Sequence, residues 1–283
     1  YYDCNEIDYL EFSEYNEAED LPNSHWESRL LLGDYMTSEF YNSEVVISEF
    51  TLALLESTGF YEVNYYTGGL MRFGKHQGCN FLKNDCADLD ANHGVVISSF
   101  YNEFCSFDSH STCSSGRQSR GLCYNSVNVV NINPKYKRDN WNNYGMDFVE
   151  YCPISFNEKK QSINYFKGSC KSDSDFGEEL GFGNDYHSFS EYFGEQFGNY
   201  SFCALSSLIR NNTDYHHKEY VRPTCYSMNC SDKSLTITLH SNNPNYEEYI
   251  VCPRKGGMIK VGGIYTYYSG YLFCPDYNLI CTV

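Results

Sequence analysis

Fourteen cysteines, an even number spread from Cys4 to Cys281, constrain this 283-residue chain more than any other feature. They are densest in the middle, at Cys79, Cys86, Cys105, Cys113 and Cys123. A metal knuckle uses a C-x-x-C spacing to put two thiolates on one ion, and that spacing occurs nowhere here. Disulfides are the better use of these thiols, and they imply a secreted or lumenal compartment. Each bridge closing a loop of this size is worth ~2–4 kcal/mol, so a domain with few long elements can still be held together. Counting alone does not choose the connectivity.

The remaining composition narrows the function classes. Hydrophobic residues make up 41% of the chain, enough for a packed core. A net charge of −17 argues against nucleic acid as a partner, because neutralising phosphates takes clustered Lys and Arg. It also disfavours an anionic membrane surface. No apolar run approaches the ~20 residues that span a bilayer, so no transmembrane segment is expected in this chain. Tyr1-Tyr2-Asp3-Cys4 lacks the basic and apolar regions of a signal peptide. Sequons at Asn199-Tyr200-Ser201, Asn211-Asn212-Thr213 and Asn229-Cys230-Ser231 agree with passage through the secretory pathway.

Along the chain, Ser48 is placed to cap a helix that carries Glu49 in its first turn. Phe50, Thr51, Leu54 and Leu55 form its apolar stripe, and Gly59 is its natural C′ residue. Phe60–Tyr66 reads as strand-like. From about Asn84 the texture changes to short apolar runs between Asn, Ser and Gly clusters. Strands are expected at Gly94–Phe100, Val127–Ile132, Leu235–Leu239 and Ile259–Tyr268, with Leu235, Ile237 and Leu239 at period two. Ser188–Phe197 and Ala204–Ile209 could form short helices. The expected fold class is α+β. A small mixed region over 1–83 precedes a mainly β, loop-rich, disulfide-stapled domain over 84–283.

Two residues carry chemistry. His25 lies in the polar stretch Asn23-Ser24-His25-Trp26-Glu27, and Met36 follows eleven residues later in Gly33-Asp34-Tyr35-Met36-Thr37. A loop histidine followed by a methionine in a turn is the second half of a zinc-protease site. The first half, His-Glu-x-x-His on a helix, occurs nowhere in the chain. Such a site needs three protein ligands and one open position, where bound water drops to a pKa of about 7 and becomes the nucleophile. A glutamate between the two helix histidines takes the water's proton.

With these landmarks, the chain resembles the leishmanolysin family of zinc metallopeptidases, including its invadolysin-like branch. The resemblance begins at Tyr1-Tyr2-Asp3-Cys4 and Ile7-Asp8-Tyr9-Leu10-Glu11 and continues through Ser24–Arg29 and Asp34–Thr37. It then takes in Phe50–Tyr61, Met71-Arg72-Phe73-Gly74 and Gly78-Cys79-Asn80-Phe81-Leu82. Farther on lie Gly121-Leu122-Cys123, Tyr151-Cys152-Pro153, Gly168-Ser169-Cys170, Cys274-Pro275-Asp276 and Cys281. It implies His25 as the third zinc ligand and Met36 as the methionine beneath the metal. In this family the third histidine arrives from a long insertion, so it can occur in a chain without the catalytic helix. The resemblance also implies seven bridges: Cys4–Cys79, Cys86–Cys152, Cys105–Cys123, Cys113–Cys203, Cys170–Cys225, Cys230–Cys281 and Cys252–Cys274. The approach to His25 departs from the family's glycine-rich pattern, since Asn16–Asn23 carries three acids and a proline.

The implied function is that of the central and C-terminal part of a zinc metalloendopeptidase, secreted or at a cell surface and acting on protein or peptide substrates. Its partner would be an N-terminal catalytic segment of the same protein, and the chain alone is expected to be inactive. A reading from another class is a non-catalytic surface, matrix or adhesion scaffold that keeps the peptidase fold. Other candidates read as ordinary structure. His216-His217 are adjacent, and adjacent residues rarely converge on one ion, while oxidation would consume Cys105 and Cys113 beside His110. Asp88–Gly94 places His93 where an EF-hand needs glycine.

Overall fold

Local sequence signals write the first helices. In the computed structural model, described at residues 1–6, 9–12, 24–37, 45–83, 88–89, 96–97, 103–105, 111–123, 149, 152, 154–156, 168–171, 192–211, 221–263 and 266–281, helix α1 spans Ser28–Leu31. The carboxylate of Glu27 caps it by accepting the Arg29 N–H at 3.0 Å. Helix α2 spans Glu49–Ser57 and opens where expected, with Ser48 Oγ accepting from the Thr51 amide. It closes through Thr58 into Gly59, whose φ of +73° suits a C′ glycine. Helix α3 spans Gly78–Lys83. The strand expected over Phe60–Tyr66 does not form. The segment joins no ladder among the described residues and runs into a 3₁₀ turn at Tyr65–Thr67, with Phe60 88% and Tyr66 99% exposed.

The described strands in chain order are β1 (Asp88–Leu89), β2 (Val96–Ile97), β3 (Ser111–Cys113), β4 (Arg120–Cys123), β5 (Ser155–Phe156) and β6 (Ser201–Ser206). They continue as β7 (Ile209–Arg210), β8 (Arg222–Cys230), β9 (Leu235–Leu239), β10 (Glu248–Cys252), β11 (Gly257–Val261) and β12 (Tyr268–Cys274). A last helical turn, α4, covers Tyr277–Ile280. The chain divides into two compact units, Tyr1–His110 with Cys123–Phe156, and Ser111–Leu122 with Asn157–Val283. The architecture is α+β and stapled by disulfides.

In the first unit the core is aromatic. Phe73 meets Phe81 and Phe104 edge-on, each at 5.5 Å, and Phe81 stacks on Phe104 at 5.9 Å. Tyr2 lies between Phe50 and Phe81, and Trp26, Leu30, Leu31 and Met71 complete the cluster. Offset and edge-on pairs add to the gain from area burial alone. Gly74 (φ +71°) threads between these rings, since a Cβ there would lie 2.5 Å from the Phe81 ring.

The second unit is built on one antiparallel sheet in the order β10-β9-β8-β6-β12-β11, with β7 also pairing β12. Leu235, Ile237 and Leu239 are buried on one face of β9, as their spacing predicts. The helix expected over Ala204–Ile209 is instead strand, β6 and then β7. The reason is burial: β6 sits between β8 and β12, so its residues are inside on both faces and show no alternation. The single run expected over Ile259–Tyr268 is two strands, broken at Gly262 (φ +136°). Within Ser188–Phe197 the described helical residues are Tyr192 and Phe193. The expected strand at Val127–Ile132 lies outside the described residues.

Cys252 and Cys274 are bridged with their Cα atoms 5.6 Å apart. Yet three strands, β9, β8 and β6, separate β10 from β12 in the sheet. Four ladder steps of ~4.8 Å would hold them ~19 Å apart if the sheet were flat. The sheet therefore curls back on itself, and the bridge fastens the curl.

The six bridges Cys4–Cys79, Cys105–Cys123, Cys113–Cys203, Cys170–Cys225, Cys230–Cys281 and Cys252–Cys274 are all present. Cys152 is also disulfide-bonded, and Cys86, its implied partner, lies outside the described residues. The second unit also buries an ion pair completely. Arg120 Nη1 lies 3.2 Å from Glu195 Oε1, which accepts the Cys225 amide as well, and the guanidinium faces the Phe197 ring.

Candidate functional site

The stretch from Ser24 to Thr37 folds into a small knot anchored on α2. Gly33, at φ +98°, lets the chain reverse after α1. Asp34 follows, completely buried, and its carboxylate organises the knot. Oδ1 accepts the Met36 amide at 2.7 Å, the two-residue reach of an Asx turn. Oδ2 accepts the Ser48 amide at 3.0 Å, and the Thr51 hydroxyl lies 2.8 and 2.9 Å from the two oxygens. The same hydroxyl accepts from the Trp26 indole N–H at 2.9 Å. A relay thus runs from Trp26 through Thr51 and Asp34 to the backbone of Met36, and it ties the turn to the first residues of α2.

This knot brings His25 and Met36 together across eleven residues. The Met36 carbonyl accepts the Trp26 amide at 2.9 Å and lies 3.3 Å from His25 Nδ1. A carbonyl only accepts, so the hydrogen of this contact sits on Nδ1. The second ring nitrogen, Nε2, lies on the opposite edge of the imidazole. A metal-binding histidine is commonly oriented this way, with one ring nitrogen donating to a backbone carbonyl and the other turned to the ion. His25 is exposed, whereas Trp26 beside it is buried and stacks on Phe12 at 4.9 Å. Met36 is half-buried and packs against the aromatic core.

Beneath the knot, the Tyr2 hydroxyl donates to the Leu30 carbonyl at 2.8 Å and the Tyr1 hydroxyl to the Phe73 carbonyl at 2.7 Å. Burial pushes both phenols well above the usual tyrosine range, so they act as neutral donors. Arg29 Nη2 donates to the Phe81 carbonyl at 3.2 Å, tying α1 to α3.

Among the described residues, no three His, Cys, Asp or Glu side chains converge in a way that could hold a metal ion. His25 brings a single imidazole to this stretch, held through Nδ1 by the Met36 carbonyl. His110, His216 and His217 lie outside the described residues. Of the sequon residues, Asn199 and Asn229 are exposed and Asn211 is half-buried. Asp34, Thr51 and Trp26 were not singled out from sequence as site residues. The available signal was the Gly-Asp pair two residues before Met36, an Asx-turn pattern. Nothing local ties Asp34 to Thr51, seventeen residues on.

Comparison with known proteins bears on this arrangement. The profile of the leishmanolysin peptidase family matches residues 1–283. A leishmanolysin-like peptidase of Drosophila pseudoobscura pseudoobscura is 24% identical over an alignment covering 99% of this chain and 42% of that protein. Leishmanolysin of Leishmania major is 22% identical over 99% of this chain and 42% of its own length. A ciliated left-right organizer metallopeptidase of Danio rerio is 25% identical over 92% of this chain and 33% of its own. The chain thus spans about two fifths or less of the length of these relatives.

Proposed function

The chain belongs to the leishmanolysin family of metallopeptidases, and from that premise we propose that it supplies the third metal-binding histidine, His25, and the methionine turn, Met36, of a zinc endopeptidase. One observation carries the reading: the knot sets His25 against the turn of Met36, with Nδ1 3.3 Å from the Met36 carbonyl, the kind of backbone contact that commonly orients a metal-binding histidine. The zinc, when bound, would lower the pKa of its water to about 7 and make it the nucleophile for peptide hydrolysis. His25 contributes one donor. Asp34, Thr51 and Trp26 fix the loop from which that donor projects, and Met36 forms the floor. The remaining donors and the general base belong to a His-Glu-x-x-His segment of the full-length protein. Protein or peptide chains are the substrates. The disulfides support a secreted or cell-surface location.

The test uses the full-length protein. Wild type is expected to carry zinc by elemental analysis and to cleave a peptide library, with cleavage lost to a chelator. His25→Ala is expected to lose both while keeping its disulfides and thermal transition. Zinc retained at the wild-type level in His25→Ala would overturn the ligand role. A metal-free wild-type protein would favour the non-catalytic scaffold.

A further inference from the structure

We propose that Asn199 and Asn229 are the N-glycan acceptors of this protein and form one saccharide patch, whereas Asn211, in the third sequon, stays bare. This rests on the secretory location argued above. The modification transfers an oligosaccharide from a polyprenyl diphosphate carrier. The Asn Nδ2 forms a bond to the anomeric carbon and gives up a proton, the carbon–oxygen bond to the diphosphate breaks, and the lipid diphosphate leaves. The folded chain must then accommodate the sugar on that nitrogen.

Asn199 and Asn229 meet this requirement. Asn199 occupies the turn closed by the Ser201 amide on the Gly198 carbonyl at 3.0 Å, and it is exposed. Asn229 lies near the end of β8, also exposed, next to Met228, which is 2% exposed in the core. Side chains alternate along a strand, so Asn229 points away from that core. The Met228 amide donates to the Tyr200 carbonyl at 2.9 Å, so the two acceptors, one residue beyond each of these, sit at the same end of the β6–β8 pair.

Asn211 is occupied with structure. Its Nδ2 donates to the Thr266 carbonyl at 2.7 Å, its Oδ1 accepts the Ser269 hydroxyl at 2.6 Å, and its own amide donates to the Tyr267 carbonyl at 2.7 Å. The carboxamide is held at both ends, half-buried, against the start of β12. Turning it outward to carry a sugar forfeits both side-chain bonds and leaves their partners unsatisfied. A sugar placed on this nitrogen before folding would keep both bonds from forming, so the fold that contains them is that of the unmodified asparagine.

The full-length protein is secreted from a eukaryotic host behind a heterologous leader, treated with a peptide-N-glycosidase in heavy-oxygen water, and mapped by mass spectrometry. Label is expected at Asn199 and Asn229 and not at Asn211. Asn211→Asp, which removes the donor, is expected to lower the thermal transition, and Asn199→Gln with Asn229→Gln to leave it unchanged. Label at Asn211, or none at Asn199 or Asn229, overturns the inference. Protein from its own cells bearing no label, when the heterologously secreted protein is labelled as expected, would overturn the location instead.

Discussion

Replacing Asp34 by alanine strips the acceptor from three donors at once: the amides of Met36 and Ser48 and the hydroxyl of Thr51. Ser48, Thr51 and Asp34 are all buried, so bulk water does not simply take over. Each buried donor left without an acceptor costs about 1–3 kcal/mol. Part is recovered, because the carboxylate's own desolvation is relieved and the vacated space can admit a water. A net loss of about 3–5 kcal/mol follows, a large share of the about 5–15 kcal/mol that typically holds a domain. Thr51→Val removes the hydroxyl that links Asp34 to the Trp26 indole and should cost about 1–3 kcal/mol. Because the two side chains share one network, the double variant should cost less than the sum of the singles, by about 1–2 kcal/mol. The assay is denaturant unfolding with disulfides intact, followed by Trp26 fluorescence in a Trp141→Phe background, which removes the chain's other tryptophan. An Asp34→Ala transition within about 1 kcal/mol of the parent, or additive singles, would refute the claim that this carboxylate organises the loop bearing His25.

Gly59→Ala and Gly74→Ala separate backbone strain from packing. Both glycines have φ near +70°, but a Cβ at Gly59 meets nothing within 4 Å, whereas one at Gly74 runs into Phe81 and Tyr2. By thermal unfolding, the first should cost about 1–2 kcal/mol and the second distinctly more. Glu195→Leu removes the carboxylate that faces Arg120 in the core and should cost about 3–5 kcal/mol; Arg120→Met combined with it should recover part of that loss in the same melt. The Lys83 ammonium, hydrogen-bonded to Glu6, holds that carboxyl below the usual carboxylate range. The associated stabilisation is present above the ordinary carboxylate pKa and fades as pH falls through the lowered value. Lys83→Met should move the Glu6 titration up toward the ordinary value, read by carbon NMR, and an unmoved titration would disprove the pairing.

What could be read from the sequence was whatever short-range chemistry dictates. Helix α2 was legible because its start and stop, Ser48 and Gly59, act through their own backbone neighbours. Strand β9 was legible because one buried face imposes alternation. Strand β6 was misread because burial on both faces erases that alternation, and Ala204–Ile209 then looks like a helix segment. Phe60–Tyr66 has strand-forming residue types, yet type cannot supply a ladder partner. The pairing of cysteines came from family likeness, and no spacing rule would have joined Cys113 to Cys203 across 90 residues. His25 and Met36 were visible as residues, while the carboxylate that brings them together depends on a contact seventeen positions distant.

The curl of the large sheet matters beyond shape. Its two outermost strands, β10 and β11, are consecutive in the chain, and the Cys252–Cys274 link anchors the first of them next to the neighbour of the second. While that link is intact, the rims are drawn toward a common seam instead of standing apart as templates for foreign strands. Cutting it in a thiol-rich cytosol frees both rims, and unsatisfied rims recruit one another between molecules. The protein should accordingly be recovered from an oxidising compartment as monodisperse material, and from a reducing one as aggregate.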